Sequence, residues 1–137
     1  MEAYSYYETG EVDTVVLQGY DSKGMMTDTL MEKIDGIGKS RRKVIYTIPN
    51  GQNPSGVSMS LERKQELYRI ACENDIIILE DDPYFYLKQE PSQTLWSMDV
   101  EGRVLRFDSF SKVLSSGIRI GFATGPSEII RGIELHG

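Results

Sequence analysis

Ile76-Ile77-Ile78-Leu79-Glu80-Asp81-Asp82-Pro83-Tyr84 is the stretch on which the fold turns. A short aliphatic run that opens on β-branched residues reads as a strand covered on both faces, the situation of a parallel sheet. The run ends in acids and a proline, so the strand delivers carboxylates into the loop at its exit. Just upstream, Ser60 can cap a helix from Leu61 to about Asn74, with Leu67, Tyr68, Ile70 and Ala71 as its apolar stripe.

Working outward, the same order of strand and helix recurs. Val44 to Ile48 is mostly β-branched and apolar on both alternating faces, which predicts another strand covered from both sides, ended by Pro49. Val15 to Gln18 reads as a strand, closed by Gly19 and the turn Asp21-Ser22-Lys23-Gly24. Thr27 can cap a helix through about Ile34, with Asp28 in its first turn, and Gly36-Ile37-Gly38 stops it. Downstream, Val104 to Phe107 and Ile118 to Thr124 predict strands, and Ser127 starts a helix carrying Ile129, Ile130 and Ile133. Alternation at these lengths gives an α/β fold, a mostly parallel sheet flanked by helices. No internal repeat, low-complexity segment or interdomain linker interrupts it.

Composition narrows the function classes. The 137 residues are 39% hydrophobic and 26% charged, ordinary for a globular domain with a core. A net charge of -6, with one short basic cluster from Lys39 to Lys43, argues against nucleic acid as a partner. No apolar run is long enough to span a membrane, and the N-terminal residues, Glu2 and several tyrosines, do not resemble a secretion signal. Cys72, the single cysteine, reads as a small buried side chain in a reducing compartment, so a cytoplasmic location is expected. The single histidine, His136, has no second imidazole or cysteine cluster with which to bind metal and reads as solvent-facing.

In α/β sheets ligands bind beyond the carboxyl ends of the strands. Three segments occupy that position: Asn50-Gly51-Gln52-Asn53-Pro54-Ser55-Gly56, Glu80-Asp81-Asp82-Pro83-Tyr84, and Asp108-Ser109-Phe110-Ser111-Lys112, the last followed by Arg119. A lysine amine can condense with an aldehyde, while hydroxyls and a guanidinium can hold a phosphate on the same molecule. Pyridoxal 5′-phosphate carries both groups. Its ring nitrogen needs an anion, which Asp81 can supply, and its phenolic oxygen needs donors, which Asn53 and Tyr84 can supply. Each residue also has a plainer reading. Asp81 can shape the following turn, Asn53-Pro54 is common turn punctuation, Tyr84 can join an aromatic edge with Phe85 and Tyr86, and Arg119 can sit on a solvated strand edge.

Taken in order, Asn53-Pro54-Ser55-Gly56, Asp81-Asp82-Pro83-Tyr84, Ser109-Phe110-Ser111-Lys112 and Arg119 within Ser115 to Gly121 resemble the motifs of fold type I pyridoxal-phosphate enzymes. The similarity is to the aminotransferases of the 2-aminoadipate, kynurenine and aromatic amino acid group, nearly continuous from Val44 to Gly125. The resemblance implies that Lys112 is the Schiff-base lysine, Asp81 the partner of the pyridine nitrogen, and Asn53 and Tyr84 the donors to the ring oxygen. Ser109, Ser111 and Arg119 would surround the phosphate. Tyr4 and Asn53 would lie toward the substrate. Ser55 stands where the family more often has threonine, which keeps the hydroxyl.

The resemblance further implies amino transfer from 2-aminoadipate, kynurenine or an aromatic amino acid to a 2-oxo acid such as 2-oxoglutarate, in a homodimer. It covers part of a large domain: residues 1–137 are expected to lack the family's N-terminal arm, its glycine-containing phosphate loop and its small C-terminal domain. The alternative is a truncated, inactive fragment that acts at most as a cofactor-binding or interaction module.

Overall fold

The computed structural model describes residues 20–37, 43–87 and 92–136. A two-stranded antiparallel hairpin, β1 (Tyr20–Asp21) and β2 (Gly24–Met25), leads into helix α1 (Thr27–Gly36). Strand β3 (Lys43–Thr47), helix α2 (Leu61–Glu73) and strand β4 (Ile76–Asp81) then form a parallel crossover. Strand β5 (Val104–Ser109) pairs parallel to β4, and β6 (Gly121–Thr124) pairs antiparallel to β5 before helix α3 (Ser127–His136). The sheet order is β3-β4-β5-β6, which places the aliphatic run of β4 between two parallel neighbours.

Helix α2 starts where its cap predicts: Ser60 Oγ accepts a hydrogen bond from the Arg63 amide at 3.2 Å. Its Leu67, Ile70 and Ala71 pack with Ile76, Ile78 and Val104 into a core from which water is excluded. The apolar stripe misses one member. Lys64 lies buried on the same helix, its stem within the core and its Nζ donating to the Gln93 carbonyl at 2.7 Å.

Four expectations need correction. Thr27 is the first helical residue and not the cap; Met26 takes that place without a side-chain bond, while the Thr27 hydroxyl donates to Glu66 on α2 at 2.7 Å. β3 is covered on one face only: Ile45 and Thr47 are buried, but Val44 and Tyr46 are 57% and 51% exposed because among the described residues nothing packs over this side of an edge strand. Ile118 lies in a bend, Arg119 and Ile120 belong to no strand, and the strand begins at Gly121. Cys72 is only partly buried, although burial pushes its thiol upward. The strand expected over Val15 to Gln18 and the side chain of His136 lie outside the described residues.

Candidate functional site

The strand register decides which side chains share a face, because in-register neighbours on adjacent strands point the same way. Glu80 is opposite Arg106, and Asp81 is opposite Phe107. Across β5 and β6, Asp108 is opposite Phe122 and Ser109 opposite Gly121. Glu80, Arg106 and Asp108 therefore belong to the face that packs on α2, while Asp81 and Ser109 belong to the other. Gly121 is required where it stands: a Cβ there would come within 2.7 Å of the Asp108 carbonyl.

On the face away from α2, Asp81 accepts a hydrogen bond from the hydroxyl of Tyr46 on neighbouring β3. Beyond β4, the chain turns through Pro83 and Tyr84, with the Phe85 amide donating to the Asp82 carbonyl at 3.3 Å. Beyond β5 it turns again, the amides of Val113 and Leu114 both donating to the Phe110 carbonyl. These two turns meet. Lys112 Nζ lies 5.7 Å from the centroid of the Tyr84 ring, inside the range of a cation–π contact.

Local hydrogen bonds tie Ser109, Ser111 and the Arg119 segment to the lysine turn. Ser109 Oγ accepts from the Ser111 amide at 3.2 Å, so the two serines share one local turn. Arg119 is exposed and holds a left-handed backbone, φ 53°, which non-glycine residues seldom adopt; it is not within a strand as its apolar neighbours suggest. The amide of Phe110 donates to the carbonyl of the adjacent Ile120 at 3.1 Å, which ties the Arg119 segment to the lysine turn. Asn53 is exposed at the tip of the loop after β3, ahead of a cis peptide bond to Pro54. The base of that loop approaches the same aromatic: a Cβ at Gly51 would stand 3.6 Å from Tyr84. The base of the β3 loop and Lys112 thus both lie near Tyr84. Tyr4 lies outside the described residues.

The sequence reading misses the charge behind this site. Arg106, 5% exposed, donates through Nε and Nη2 to both carboxylate oxygens of Asp108 at 2.8 and 2.7 Å, and through Nη1 to Asp82 at 3.1 Å. Asp82 also accepts from the Asn50 amide nitrogen at 2.9 and 2.8 Å. Glu80, fully buried, accepts the backbone amides of Leu95 and Trp96 at 2.8 and 2.9 Å. Burial pushes the Glu80 and Asp82 carboxyls above their ordinary values, against the pull of those amides, of Asn50 and of Arg106. Burial works against the Arg106 cation, but the Asp108, Asp82 and Glu80 carboxylates more than offset it. In sequence the only hint is an arginine inside the apolar run Val104 to Phe107; its partners emerge from the strand register.

The profile of the family described as aminotransferase class I and II matches residues 3–135. This chain belongs to that family. It is 48% identical over 126 residues to the mitochondrial kynurenine/alpha-aminoadipate aminotransferase of Bos taurus, a match that takes in 85% of this chain and 30% of that protein. The crystal structure of Pyrococcus horikoshii kynurenine aminotransferase in complex with PMP superposes with a TM-score of 0.77 at 38% identity, over 85% of this chain and 30% of that one. The alpha-aminoadipate aminotransferase of Thermus thermophilus, crystallised with N-(5'-phosphopyridoxyl)-L-leucine, gives 0.71 at 30% identity, over 82% and 29%. The chain therefore spans about a third of the length of the relatives it matches. The α/β fold expected from the alternation of strand and helix, a mostly parallel sheet flanked by helices, is the one found. Among the described residues no helix is long and apolar enough to cross a membrane.

Proposed function

We propose that this chain carries the lysine-bearing part of a pyridoxal-phosphate-dependent aminotransferase site that moves an amino group from 2-aminoadipate, kynurenine or an aromatic amino acid to a 2-oxo acid. One observation carries the reading: the Lys112 amine meets the Tyr84 ring where the exits of two neighbouring parallel strands converge. The donor set fits the cofactor in kind. An amine can bond the aldehyde, a carboxylate at Asp81 can pair with the ring nitrogen, phenol and amide donors at Tyr84 and Asn53 can reach the ring oxygen, and Ser109, Ser111 and Arg119 can hold the phosphate.

When bound, pyridoxal phosphate supplies an electron sink for the pair left on the substrate α-carbon. The chain's residues do the rest. Lys112 Nζ would hold the cofactor and, as the free amine, would take up the proton from the substrate α-carbon. Asp81, its carboxylate bonded to the Tyr46 hydroxyl, would pair with the ring nitrogen and keep it cationic. Tyr84, whose ring lies 5.7 Å from the amine, would help to orient it.

The whole-protein properties follow the family: a homodimer, with amino acid and 2-oxo acid as substrates; the unpaired Cys72 suits a reducing compartment. The test is to mix the purified protein with pyridoxal phosphate, follow the visible absorbance, and assay amino transfer to 2-oxoglutarate. A band lost in Lys112→Ala, with turnover in the wild type, is the expected result. A Lys112-dependent band without turnover would reduce the chain to a cofactor-binding module, and an identical spectrum in Lys112→Ala would remove Lys112 from its role.

A further inference from the structure

We infer that Arg106 is a positioning residue for this site, a clamp on the buried face that fixes the backbone of three strand exits at once. The inference rests on the function proposed above for what the positioned residues do, but its geometry stands by itself. One guanidinium reaches Asp108 at the end of β5 with two bonds and Asp82 just past β4 with a third. Asp82 in turn holds Asn50, three residues past the end of β3. The guanidinium carbon also lies 4.6 Å from the centroid of the Phe85 ring.

Three of the residues held by the clamp have a site candidate beside them in the chain: Asp82 follows Asp81, Asp108 precedes Ser109 and Phe85 follows Tyr84, while Asn50 lies three residues before Asn53 in the same loop. Consecutive residues of a strand point to opposite faces, so anchoring one on the buried side fixes the direction of its neighbour on the other without touching it. The site itself is open and its side chains make few bonds among themselves. The buried network joins all three exits from behind through side-chain bonds.

A fork is needed for this role. Three nitrogens of Arg106 address two carboxylates in fixed directions, whereas lysine offers a single point charge. Arg106→Lys keeps the charge and releases the geometry, so it is the informative variant. Leu67→Ala, in the α2 core and away from the clamp, is the control for general loss of stability.

The deciding measurement is amide hydrogen exchange of the purified protein without cofactor, read at residues 51–56 and 110–114. In Arg106→Lys, exchange there is expected to rise about tenfold or more above the change elsewhere in the sheet, while Leu67→Ala raises exchange without that localisation. If Arg106→Lys does not fold, Asp108→Asn, which removes one charge and keeps the shape, is expected to give the same localised pattern at several-fold. Equal changes in the two segments and in the rest of the sheet, or the same pattern in Leu67→Ala, would overturn the assignment. A second readout is the pyridoxal phosphate concentration that half-saturates the Lys112-dependent band, expected to rise about tenfold in Arg106→Lys and to stay near wild type in Leu67→Ala. Absence of the band in wild type would defeat the proposed function alone, and the exchange pattern would still decide the clamp.

Discussion

Asp81 and Asp82 are adjacent in sequence and belong to opposite sides of one sheet, and the two sides handle charge differently. Toward α2, Glu80, Asp82, Arg106 and Asp108 are all at most 6% exposed, and each is bonded to another charge or to backbone amides. Away from it, Asp81 and Ser109 are partly open, Tyr46 is half exposed, and Lys112 is exposed beyond the strand end. The buried side spends its charges on one another. The open side leaves amine, carboxylate and hydroxyl available for a ligand. Residue type alone does not separate the two roles; a shift of one position along a strand does.

The strongest way to break the contrast is to remove the buried cation. Arg106→Met leaves three carboxylates without their shared partner, and losing one member of a buried pair costs about 3–5 kcal/mol. Urea unfolding at neutral pH is the measurement. A loss below about 1 kcal/mol would mean that the network is solvated and that the two faces do not differ as described.

Next in size is the pH dependence of the buried face. Burial raises the Glu80 carboxyl above its ordinary 4.5, so the folded chain holds that proton more tightly than the unfolded chain does. The stability this group contributes is then complete below its unfolded value and declines as pH rises through the folded one. Glu80→Gln removes that slope. The difference in unfolding free energy, wild type minus Glu80→Gln, is expected to shrink from pH 4.5 upward; a difference that grows with pH would show that Arg106 holds Glu80 ionised in the fold.

How legible was this arrangement in the sequence? Strand positions were, because Ile76 to Leu79 and Val104 to Phe107 are apolar runs with clear ends, and Ser60 marks the start of α2. What the runs could not reveal is coverage. Val44 and Tyr46 have the composition of a strand buried on both sides, yet whether anything packs over them depends on elements that local pattern does not encode. Lys112 and Asp81 could be singled out by their chemistry at strand exits. Arg106, Asp82 and Asn50 could not, since an isolated Arg, Asp or Asn is ordinary in sequence, and their significance comes from a register that only the paired strands supply. Arg119 shows the same limit locally: its neighbours are strand-like, but its positive φ belongs to a turn.

A smaller effect sharpens the comparison from within the buried face. Thr47 Oγ1 is, among the described residues, the buried side-chain polar atom without a hydrogen-bond partner, on a residue 1% exposed and opposite Glu80. A hydroxyl buried without a partner has lost its water and gained nothing in return. Thr47→Val is nearly the same shape without that group, and is expected to be neutral or to stabilise the fold by up to about 1 kcal/mol. Thermal unfolding checks it. A clear destabilisation would identify an ordered water bonded to Thr47 and extend the polar network to β3.

The smallest effect is expected on the open face. Tyr46→Phe deletes the hydroxyl that donates to Asp81 but keeps the ring, which is half exposed already. Both groups can return to water when the bond is lost, so neither is left buried and unsatisfied. The change in unfolding free energy should stay within about 0.5 kcal/mol, against the several expected for Arg106→Met. Yet the same deletion frees the Asp81 carboxylate to rotate away from the position the ring nitrogen needs, so pyridoxal phosphate binding should weaken while stability does not. Parallel losses of stability and binding in Tyr46→Phe would mean that the open face also contributes to holding the fold together.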